Sequence, residues 1–79
     1  MHTVELLEEA LQTARSLGFT VRQEWLGGGG GGCEIKGKRW LFVDLSLPAI
    51  EQLDQVLSAI RPYLNESVSV SKELRRRAA

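Results

Sequence analysis

The chain has 79 residues, 43% hydrophobic and 25% charged, with ten Lys and Arg against ten Asp and Glu. That length supports one domain, able to bury about 60–65% of the surface its unfolded form exposes, and the composition argues against disorder. Zero net charge removes whole-protein attraction to nucleic acid or membrane, and one Cys with one His excludes an internal disulfide and a single-chain structural zinc site.

The first expected element is a helix from Val4 to Leu17. Val4, Leu7, Leu11, Ala14 and Leu17 recur at three- and four-residue steps and form one apolar face. Thr3 is the expected N-cap, Glu5, Glu8 and Glu9 suit the positive end of the helix dipole, and Gly18 suits the left-handed position after the last turn. A strand follows over Phe19 to Leu26, with Phe19, Val21 and Trp25 alternating with polar residues. Six glycines come next, then a short strand at Cys33 to Lys36, a turn at Gly37 and a stronger strand from Arg39 to Leu45. Leu41, Val43 and Leu45 alternate there with Trp40, Phe42 and Asp44, so both faces are largely apolar, the pattern of a central strand. The hairpin register at Gly37 decides which set faces the core, and the sequence leaves it open. A second helix begins at Pro48 with a stripe of Ile50, Leu53, Leu57, Ile60 and Leu64, and Pro62 ends or kinks it. Ser67 to Ser71 alternates like a short edge strand, and Lys72 to Ala79 reads as a frayed basic tail.

The expected architecture is therefore α+β, ordered α-β-β-β-α. It has a three-stranded antiparallel meander with both helices on one face, a domain over residues 1–66, and a weak strand and basic tail over 67–79. Leu41, Val43, Leu53 and Leu57 are expected in one core. Charge is banded: net −3 over residues 1–35, +2 over 36–47, −2 over 48–66 and +3 over 67–79. The stretch Met1 to Glu9 is acidic, and no apolar run is long enough to span a bilayer, so the expected compartment is the cytoplasm.

Gly27, Gly28, Gly29, Gly30, Gly31 and Gly32 are the most unusual feature. Successive glycines can turn backbone N–H groups toward a phosphate or other anion. The simpler reading is a flexible hairpin connection or a close-packed backbone crossing; of the two the flexible connection is expected, in which two or three Ser replacements leave the fold nearly intact. Gly27, Gly29 and Gly32 satisfy G-x-G-x-x-G, but a strand follows where the dinucleotide site needs a helix. Gly32, Gly37 and Lys38 satisfy G-x-x-x-x-G-K, but Arg39 stands where Ser or Thr must bind magnesium. Cys33 lacks a nearby base in sequence and reads as a small buried apolar residue. Asp44 reads as a structural carboxylate bonding backbone groups at the strand-to-helix corner. Lys36, Lys38 and Arg39 beside Trp40, with Arg75 to Arg77, offer a small nucleic-acid surface, though a Lys-rich turn is also an ordinary solubility device.

Glu24-Trp25-Leu26-Gly-Gly through Cys33, then Gly37, Leu41-Phe42-Val43-Asp44-Leu45 and Glu51-Gln52-Leu53 resemble a group of small uncharacterised bacterial proteins over roughly residues 1–60. The resemblance implies a bacterial cytoplasmic stand-alone domain and carries no activity, ligand or partner. Taken together, the residues favour a non-enzymatic interaction or assembly module without cofactor or metal. It is expected to be a homodimer formed through whichever sheet face the helices leave uncovered, with Trp40 and Phe42 as candidate interaction residues, or through the edge strand. The alternatives are an anion- or nucleotide-binding domain using Gly27 to Gly32, and a weak nucleic-acid binder using the basic turn and tail.

Overall fold

The computed structural model describes residues 2–79. Helix α1 spans Thr3–Ser16, strand β1 Phe19–Glu24, β2 Gly31–Ile35, β3 Lys38–Asp44, helix α2 Ala49–Ile60 and helix α3 Lys72–Ala78. The N-cap of α1 is His2, without a side-chain bond, so Thr3 lies inside the helix instead of capping it. Gly18 takes the left-handed conformation expected of it, with φ +91°. Pro48 caps α2, and the helix gives way at Arg61–Tyr63 to a 3-10 turn containing Pro62.

The fold is α+β, and β3 is central, as its two apolar faces require. The sheet is nevertheless mixed and its strand order is β1-β3-β2, which corrects the antiparallel meander. β1 runs parallel to β3, Phe19 opposite Arg39 through Glu24 opposite Asp44, and β2 runs antiparallel on the other side. The glycines make this order possible. The connection after β1 skips a strand position, about 9.6 Å, and crosses the C-terminal end of β3 before β2 starts.

The turn between β2 and β3 is Lys36-Gly37, both at positive φ (51° and 79°), the two-residue geometry that matches strand twist. It sets the register. Leu41 and Val43 point inward and are fully buried, while Trp40 and Phe42 lie on the opposite face, half-buried. α1 and α2 contact each other and cover the Leu41 side together. Leu41, Val43, Leu53 and Leu57 share one core with Leu6, Leu11, Phe19 and Ile60.

Residues 67–71 form no strand, and the basic tail is a docked helix. Ser71 caps α3 by accepting from the Leu74 amide, and Leu74 and Ala78 join the core. The Glu9 carboxylate of α1 accepts from both the amide and the hydroxyl of Ser71, at 2.6 Å each. Arg75 donates to the carbonyls of Asn65 and Val68, so it braces the preceding loop. Leu74→Ala is expected to destabilise the protein by about 2–3 kcal/mol, since it empties a buried site. An unchanged urea midpoint would show that α3 is peripheral.

Candidate functional site

Three features can carry binding chemistry: the open sheet face, the glycine loop and a cleft beside β2.

The open face follows from the register. Thr20, Arg22 and Glu24 of β1, Lys38, Trp40 and Phe42 of β3, and Cys33 and Ile35 of β2 lie on the side away from the helices. Trp40 and Phe42 stack at its centre, ring centroids 5.9 Å apart and planes within 8°. Ile35 is 49% exposed, and Cys33 is exposed where a buried position was expected. Arg22 and Glu24 pair at 3.1 Å along the β1 edge.

Arg39 leaves the basic group in which the sequence placed it. It points to the helix side, donates to the Leu17 carbonyl at 2.7 Å and lies 4.2 Å from the Tyr63 ring centroid. Lys38 and Trp40 share the open face, Lys36 sits in the turn, and Arg75 is engaged with backbone carbonyls.

The glycine loop is ordered around an internal anion. One oxygen of the buried Asp44 carboxylate accepts from the Leu26 amide (3.0 Å), the Ser46 amide (2.9 Å) and the Ser46 hydroxyl (2.6 Å). The other accepts from the Gly28 amide at 2.6 Å. The Asp44 amide donates to Gln55 Oε1, and Gln55 Nε2 donates to the Gly29 carbonyl, tying the loop to α2. The Ser46 hydroxyl holds the Asp44 carboxyl well below the usual carboxylate range, joined by the amides of Leu26, Ser46 and Gly28, while burial pushes the other way. The corner role expected of Asp44 is present, and it extends to the loop. What the sequence hid was the partner: Asp44 lies 16 and 18 residues from the amides of Gly28 and Leu26 that it binds.

Two glycines are also places of close approach, so the run is not a flexible connection. A Cβ on Gly30 would stand 2.7 Å from the Phe42 carbonyl oxygen, and one on Gly32 would stand 2.8 Å from the Ala59 Cβ. Gly27, Gly28, Gly30 and Gly31 all have positive φ.

The cleft, of about 680 Å³, runs between the outer side of β2 and the flank of α2. Gly31 to Glu34 form one wall, and Glu51, Asp54, Gln55, Ser58 and Pro62 the other. Phe19 and Tyr63, edge to face at 5.6 Å, close one end with Arg39. Among the described residues no group of three or more His, Cys, Asp or Glu is placed to hold a metal ion, and no helix is long and apolar enough to cross a membrane. Comparison with family models, with curated proteins and with solved structures finds no match to this chain.

Proposed function

We propose that the protein is a small, non-enzymatic interaction module that self-associates through the open face of its sheet. The observation that carries this reading is the stacked Trp40–Phe42 pair at the centre of the face turned away from α1 and α2. Large aromatics presented on a flat surface supply contact area at low conformational cost and are enriched at interfaces. The molecule measures 31 × 31 × 17 Å, two layers thick, so a standard interface of roughly 800 Å² per partner would draw on most of its broad side. A second copy is the occupant the charges favour. Arg22 with Glu24 on one edge strand and Lys38 on the central strand give the face both signs, which a two-fold axis can set against each other.

Sedimentation at about 100 μM should show a dimer, the range in which an interface of that size is populated. Trp40→Lys is expected to give monomer with unchanged far-UV circular dichroism. Parent protein that remains monomeric at that concentration refutes the reading.

A further inference from the structure

We propose that the cleft between β2 and α2 takes an extended, Lys- or Arg-bearing segment of another protein, which joins the sheet beside β2 as a fourth strand. This goes beyond self-association and uses a different surface, the edge and helix side of the sheet.

The edge supplies the main-chain partners. Counted from the two-residue turn, Ile35, Cys33 and Gly31 bond inward to β3, so Gly32 and Glu34 present N–H and C=O outward. β2 holds no proline and no cation, the usual guards of an edge. The far wall follows β2, because Glu51, Gln55, Ser58 and Pro62 recur at four-, three- and four-residue steps along one side of α2 and its extension. A cleft of about 680 Å³ is within the range of ligand-binding pockets, and strand addition in such a groove is a recurrent mode of peptide capture.

Charge selects the occupant. Glu34, Glu51 and Asp54 line the cleft and form no ion pair among the described residues. Arg39, the cation in the lining, is already held by the Leu17 carbonyl and the Tyr63 ring. A second copy paired through β2 would bring two of these acidic clefts together. The chain's own basic run, Arg75 to Arg77, is wound into α3 and anchored by Leu74 and Ala78. A cationic segment from another protein meets both the hydrogen-bonding edge and the unpaired carboxylates.

The test is a heteronuclear NMR titration with three capped hexapeptides: alternating valine and lysine, the same with proline at its third position, and alternating valine and glutamate. The valine–lysine peptide is expected to shift the amides of Gly32, Glu34 and Ser58 with Kd below about 1 mM. The proline and glutamate peptides are each expected to bind about tenfold more weakly, for want of a backbone donor and of charge. The double variant Glu51→Lys, Asp54→Lys is expected to lose about tenfold in affinity for the lysine peptide. It should sediment like the parent, which separates this cleft from the self-association face. Three results overturn the proposal: no shifts along β2 at about 2 mM peptide, proline or glutamate peptides as tight as the lysine one, or Gly32 and Glu34 amides already protected from exchange in the free protein by a second copy.

Discussion

Asp44→Ala is expected to lower the melting temperature by about 10 °C or more, a large shift for a domain of this size. The alanine removes the acceptor of four hydrogen bonds and leaves the amides of Leu26, Gly28 and Ser46 without their partner in the protein. Asp44→Asn is expected to recover only part of the loss. One oxygen survives, but the amide nitrogen offers only donors where three backbone N–H groups need an acceptor. The pH dependence carries the same signature. The folded state holds the Asp44 carboxyl below its ordinary pKa, so as pH falls the unfolded chain takes up this proton first. The contribution is intact above about pH 5 and is lost progressively as pH falls through the usual carboxylate range and below it. In acid titrations of stability, Asp44→Asn should therefore show a shallower acid limb than the parent. Parallel curves for the two would mean the carboxylate does not hold the loop.

Neighbouring glycines are expected to respond in opposite directions. Gly30→Ala meets the Phe42 backbone carbonyl at 2.7 Å and requires φ +107°, so it combines left-handed strain with overpacking against a group that cannot swing away. A loss of about 3–5 kcal/mol is expected. Gly29→Ala has no positive φ, and its Cβ finds ordinary contacts at 3.7 and 3.8 Å with Leu26. It is expected to be neutral or to stabilise by about 0.4–1 kcal/mol by restricting the unfolded chain. Urea unfolding of the two variants measures the difference directly, and equal midpoints would mean that the run has no fixed conformation.

The contrast marks where sequence reasoning reached and where it stopped. Periodicity located both long helices and the central strand, because Leu41, Val43, Leu53 and Leu57 repeat at the steps that burial imposes. It misplaced β1, since nothing in Phe19 to Glu24 says whether its neighbour runs with it or against it. It missed α3, whose seven residues include three consecutive arginines and only one large apolar anchor, Leu74. Its capping serine was visible, but the acidic partner was Glu9, 62 residues away. Alternation places Trp25 in the buried series of β1, yet the strand ends at Glu24 and the indole is 76% exposed. The six glycines look interchangeable as letters. Their roles differ because the atoms they approach, Phe42 and Ala59, come from elements later in the chain.

The mixed sheet also dictates an order of assembly. β2 and β3 are joined by two residues, and such a hairpin closes in about 1–10 μs. Among the described residues β1 pairs with β3 alone, twenty positions downstream, and must wait for that strand to be laid down. Before it docks, the glycines between β1 and β2 have wide conformational freedom, and fixing them carries an entropic cost. The amino-terminal α1–β1 unit should thus arrive last and leave first. Val21→Ala is then expected to accelerate unfolding while barely slowing folding, and Val43→Ala to slow folding. Stopped-flow kinetics in which Val21→Ala slows folding as much as Val43→Ala would reverse that order.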